Sequence, residues 1–154
     1  MAQQAWTALN RELTTEMGRD TGATIRPPTR ALHRVATAAF AGLYLGGAVF
    51  NALLTVPDAR GVFESFRDMA WLAPYQWLID NLILSAPTAC AVALTAFELT
   101  VGVAIIAGGR ARRAALVAAT VFVIGLIPSL SWPYWTANVG LGALQVAFLR
   151  RLSR

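Results

Sequence analysis

Glu98 is the only formally charged side chain within the four long apolar stretches of this 154-residue sequence. It stands in the run Ala93-Leu-Thr-Ala-Phe-Glu98-Leu-Thr-Val-Gly102, deep in the second stretch. A charge near mid-bilayer costs roughly 2.5–3.5 kcal/mol on insertion scales, which makes an intramembrane carboxyl a functional-site candidate by default. On a helical wheel Glu98 shares its face with Pro87, Ala91, Gly102, Ile105 and Gly109, with Thr95 just beyond. Small residues let helix backbones approach in lipid, so the carboxyl is expected to point into a helix bundle.

Counting depth at 1.5 Å per residue puts Tyr44 and Glu98 each roughly 14 Å from the inner membrane boundary. Tyr44, Gly47, Ala48 and Asn51 share one face of the first stretch. By the same count Asn51 and Asn138 match in depth near the outer side, and Gln145 follows Asn138 on one helix face. The expected site is a polar seam of Tyr44, Asn51, Glu98, Asn138 and Gln145. Two uses of it are open. Glu98 could move a proton or meet a ligand, or it could hold helices in register as a neutral acid bonded to Tyr44 or to a backbone carbonyl. No catalytic residue is assigned.

Cys90 and His33 are the sole residues of their types. An internal disulfide, a CxxC pair and a cysteine-based metal site are thereby excluded, and a His-ligated haem or di-metal centre is not expected. Both residues read as chemically inert. Six of the eight Trp and Tyr residues (Trp71, Tyr75, Trp77, Trp132, Tyr134 and Trp135) gather in two loops on one side. They read as an aromatic belt at headgroup depth or as an aromatic-lined mouth for an apolar ligand.

The elements that must carry these side chains follow from hydrophobicity. The chain is 56% apolar and 14% charged, against roughly 25% charged in an ordinary soluble domain. The apolar residues form blocks at about 35–56, 82–107, 114–131 and 132–149. Each is near the length that crosses a ~30 Å hydrocarbon core as a helix. The predicted fold is all-α: a four-helix transmembrane domain over 31–154, preceded by a tail over 1–30. Within the tail, Ala2, Ala5, Trp6, Leu9, Leu13 and Met17 have the spacing of a short amphipathic helix on the membrane surface, or of a loosely ordered segment. The first 30 residues lack the apolar core of a cleaved signal, so the first span is expected to be an uncleaved anchor.

All thirteen basic residues are Arg. They concentrate before the first span, between spans two and three (Arg110, Arg112, Arg113) and after span four (Arg150, Arg151, Arg154). The positive-inside rule therefore places both termini in the cytoplasm, as expected for a multi-pass protein of a bacterial plasma membrane. The net charge of +5 is a topology signal and points to no nucleic acid. In the first outer loop, Val62, Phe63, Phe66, Met69, Ala70 and Ala73 repeat at helical spacing opposite Arg60, Glu64, Arg67 and Asp68. A helix in the outer interface, or dipping into the bundle, is predicted there, ending near Pro74. Ala38-x3-Gly42-x3-Gly46 is a small-residue stripe suited to packing within the bundle or in a dimer.

Three of these segments together resemble the DoxX and DoxX-like family of small bacterial membrane proteins. They are the Arg-bearing approach Arg30–Arg34 with the run Gly42-Leu-Tyr-Leu-Gly46-Gly47, the motif Phe97-Glu98-Leu-Thr-Val-Gly102, and the turn Gly108-Gly-Arg-Ala-Arg-Arg113. The similarity covers about residues 30–150. It implies a four-helix membrane protein linked to a quinone-reactive thiosulfate-oxidising complex or to assemblies handling oxidative stress. Asn51 stands where related sequences often carry a Lys. On this resemblance the expected function is an accessory or scaffold subunit of a redox-linked membrane complex, not an enzyme by itself. The alternatives are a quinone-interacting oxidoreductase subunit and a small proton-coupled transporter. Expected partners are the lipid bilayer and a protein partner or second copy. No cofactor is evident, quinone being the one candidate.

Overall fold

The computed structural model describes residues 29–152, with side chains from Ala31 onward. The expected amphipathic segment over 2–17 lies outside the described residues. Among the described residues, 34–152 cluster as one compact unit.

Six α-helices and no strand make up the described residues. Helix α1 (Thr29–Phe50) runs on through a wider π-helical turn, Asn51–Thr55. Helices α2 (Ala59–Met69) and α3 (Ala73–Leu78) follow, and α3 also continues into a π-helical turn, Ile79–Ile83. Then come α4 (Pro87–Ala107), α5 (Gly109–Leu126, closed by a 3₁₀ turn at Ile127–Ser129) and α6 (Tyr134–Leu152). Three segments are long and apolar enough to cross a membrane: Ala31–Thr55, Pro87–Ala107 and Gly109–Ser129. Helix α6 has 19 residues, enough for about 28 Å. Asn138, Gln145, Arg150 and Arg151 make it less apolar than those three.

Prolines and glycines set the boundaries. The apolar block starting at Leu82 is divided, because the chain breaks before Pro87 and α4 starts there. Proline suits a first helical turn, where its missing N–H leaves no bond unmade. The same rule corrects the expected end of the loop helix. Helix α2 stops at Met69, and Pro74 opens α3 instead of closing α2. Between α4 and α5 the chain turns on Gly108 and Gly109, whose φ values of 81° and 57° disfavour any side chain.

One cluster forms the main core: Ala41 and Tyr44 of α1, Val101 and Ile105 of α4, Ala115, Leu116 and Ala119 of α5, and Phe148 of α6. Phe40 packs against Phe148 at 5.6 Å between ring centroids, and Phe97 against Phe122 at 4.9 Å. The outward faces are apolar too, with Leu43, Val49, Leu99, Val103, Val121 and Leu144 all exposed. Such a surface is suited to lipid. Ala38, Gly42 and Gly46 lie on that outward side, and a Cβ added at Gly42 or Gly46 would meet nothing within 4 Å.

A second cluster explains the loop helix. Ala59 and Phe63 of α2 are buried against Ala91 of α4, with Val56, Phe66, Ile83, Leu84 and Cys90 around them. The apolar face of α2 is thus seated on the start of α4, while Arg60, Glu64, Arg67 and Asp68 are exposed. Arg67 pairs with Asp80 at 3.2 Å, a hydrogen bond that holds its guanidinium more firmly protonated than usual.

Candidate functional site

Helix α1 presents one buried face at 3.6-residue spacing: Ala41, Tyr44, Ala48 and Thr55 are each under 5% exposed. Asn51 is half-buried on the same face. Antiparallel to it, α4 buries Ala91, Val101, Gly102 and Ile105, and Glu98 is half-buried among them. The helices touch where side chains are smallest. A Cβ on Gly102 would lie 2.7 Å from the Leu45 side chain and 3.2 Å from its backbone nitrogen. A Cβ on Gly47 would lie 2.9 Å from Oε2 of Glu98 and 3.1 Å from Oε1. Gly47 is therefore the floor on which the carboxyl rests.

The partner of Glu98 is Asn51, whose Nδ2 donates to Oε2 at 2.7 Å. Asn51 is held in turn by Thr55, whose hydroxyl donates to Oδ1 at 2.6 Å. All of this occurs at the π-helical turn, where the N–H of Val56 reaches back to the carbonyl of Asn51 at 2.8 Å. The wider turn leaves Thr55 bonding to the amide side chain one turn earlier. Single π turns inside α-helices recur at functional sites.

Tyr44 belongs to a different link. Gln145 of α6, fully buried, donates from Nε2 to the Tyr44 hydroxyl at 2.6 Å. It accepts at Oε1 from the hydroxyl of Thr120 on α5 at 3.0 Å. Tyr44–Gln145–Thr120 ties three helices together, and Thr55–Asn51–Glu98 ties two. Of the five seam residues, the structure joins Asn51 to Glu98 and Tyr44 to Gln145. Asn138, half-buried on α6, joins neither pair.

Tyr44 is not the partner of Glu98, because the equal-depth count assumed that α1 and α4 end level at the inner side. The contacts of Leu45 with Gly102 and of Gly47 and Asn51 with Glu98 shift the register by about five residues, or ~7.5 Å. Sequence reasoning missed Thr55 and Thr120. Each carried a signal: Thr55 stands one turn from Asn51, and Thr120 is a hydroxyl on the otherwise apolar buried face of α5.

The six aromatics of the two loops are not gathered into one wall. Trp71, Trp77, Trp132 and Tyr134 are each at least 60% exposed, while Tyr75 and Trp135 are half-buried. Among the described residues the ring contact within this set is Trp132 against Trp135, edge-on at 5.8 Å. Trp71 instead anchors its loop to the end of α5. Its indole donates to the Ile127 carbonyl at 3.4 Å and its backbone N–H to that of Pro128 at 3.3 Å.

Chemically, the site offers one carboxyl with a single amide donor on Oε2, placed where two helices are nearly in backbone contact. It can fix a register, accept a further donor or exchange a proton. Among the described residues no three His, Cys, Asp or Glu side chains are placed to share a metal ion. Comparisons of the chain with protein-family models, with curated proteins and with solved structures return no match.

Proposed function

We propose that this chain is a DoxX-like, four-span protein of a bacterial plasma membrane, with both termini cytoplasmic, and that it serves as an accessory or scaffold subunit of a redox-linked membrane complex. One observation carries the scaffold reading: five interior polar side chains, from four helices, bond to one another from helix to helix. Glu98 is bonded to Asn51, and Gln145 to both Tyr44 and Thr120. Such pairs hold a bundle in one arrangement and present its outer face to lipid and to partners. Support for α6 as the fourth span comes from its exposed Val139 and Leu144, its packing along α5, and the arginines that end it. The arginine distribution supports the orientation.

Purification of the full chain from its native membrane in mild detergent tests this reading. A stoichiometric protein partner, retained when Glu98 is changed to Gln, is the expected result. A chain recovered alone from every mild detergent would refute it.

A second reading, quinone or proton handling, draws on one feature of the site. Glu98 is half-buried, and among the described residues Asn51 is its one hydrogen-bond partner, so Oε1 is open to a further donor. Quinone that co-purifies with the wild type and is lost in Glu98→Gln would favour this reading over the scaffold.

A further inference from the structure

A groove of about 420 Å³ runs along the outward side of α6 beside the end of α5. Its lining is apolar along Ile124, Ile127, Val139, Ala143 and Ala147, with one charged side chain, Arg150, at the far end. The groove is open because Gly142, Ala143 and Ala147 carry at most a methyl group each. From Val139 to Arg150 the helix rises about 16 Å, close to the ~15 Å depth of one leaflet of a ~30 Å hydrocarbon core. The groove thus has the length of one acyl chain lying in one leaflet, with a guanidinium at headgroup level.

The charge at that end is of one sign. Arg150 and Arg151 occupy the last turn of α6, and Arg110 and Arg113 the first turns of α5. The two ends are adjacent, since the Arg113 guanidinium donates to the Leu152 carbonyl. No Asp or Glu follows Glu98 in the sequence. Arg150 itself is exposed, and among the described residues it has no hydrogen-bond or ion-pair partner. Basic pockets between membrane helices on the cytoplasmic side are suited to anionic headgroups.

We propose that this groove is a binding site for one anionic phospholipid of the inner leaflet, its acyl chain along Val139, Ala143 and Ala147 and its phosphate on Arg150. The inference rests on the reading of α6 as a fourth span whose Arg150 end is cytoplasmic. Anionic lipid is the occupant because the groove's single charged side chain is a cation with no acid near it among the described residues, and because an acyl chain fits its length and lining.

The full chain in mild detergent, titrated with phosphatidylglycerol or with phosphatidylcholine of the same acyl chains, tests the site by native mass spectrometry. One phosphatidylglycerol is expected to be retained in preference to phosphatidylcholine. Arg150→Gln should lower its retention about fivefold, the factor matching the ~1 kcal/mol that one basic residue contributes at an anionic surface. Ala143→Leu, at an exposed position, should fill the groove and lower retention of phosphatidylglycerol without loss of helix content. Equal retention of the two lipids overturns the proposal, as does unchanged phosphatidylglycerol retention in both variants. Retention in detergent is blind to sidedness. Labelling of a Ser153→Cys variant in a Cys90→Ser background from the outside of intact cells would instead refute the four-span orientation and with it the assignment of the lipid to the inner leaflet.

Discussion

The amide of Asn51 donates to the carboxyl of Glu98 at 2.7 Å, joining two helices across 47 residues of sequence. The bond forms where Gly47 removes the side chain that would otherwise separate the helices. It makes Glu98 part of a helix–helix contact whatever further role the carboxyl has.

Asn51→Ala removes the donor and leaves the carboxyl unpaired between helices. Interhelical hydrogen bonds in membranes average about 0.6 kcal/mol and reach ~1.7, so a loss in that range is expected. Glu98→Gln keeps an acceptor oxygen for Asn51 and should cost less. Thermal unfolding of both variants in one detergent checks the order.

Gly47→Ala places a methyl group 2.9 Å from Oε2 of Glu98. Overpacking of this kind costs about 1–3 kcal/mol. Gly42→Ala and Gly46→Ala face open space. They should be neutral or gain up to ~1 kcal/mol from helix propensity. If all three glycines responded alike, the close approach at Gly47 would lose its special place.

Tyr44→Phe leaves the buried Nε2 of Gln145 without an acceptor, at a cost of about 1–3 kcal/mol. Gln145→Leu removes the need for one. The double variant should therefore be less destabilised than the sum of the two single ones, a coupling that a double-mutant cycle reads directly.

Sidedness can be mapped with single cysteines in a Cys90→Ser background. Ser131→Cys is expected to react with a membrane-impermeant thiol reagent in intact cells, and Arg110→Cys only after permeabilisation. Equal protection of both sites would contradict the assignment of α5 as a span between the two faces.

Much of the architecture was legible in the chain, because hydrophobicity and helical period are local properties. The long apolar blocks marked the three helices able to span a membrane, and the 3.6-residue pattern turned Ala91, Gly102 and Ile105 inward with Glu98. The amphipathic spacing of Val62, Phe63 and Phe66 found the loop helix. Its end was misplaced because Pro74 serves equally to end one helix or to begin the next.

By itself, then, the sequence determined the helical class, the apolar spans, the inward face of Glu98 and the roster of polar side chains that could meet there. Only the tertiary structure decided which of them do meet. Partner choice depends on the axial register of antiparallel helices, and that register is set by contacts of specific shape: Leu45 against Gly102, and the carboxyl against Gly47. A shift of about five residues moves Tyr44 away from Glu98 and sets the carboxyl between Gly47 and Asn51, while leaving every local pattern in the chain unchanged.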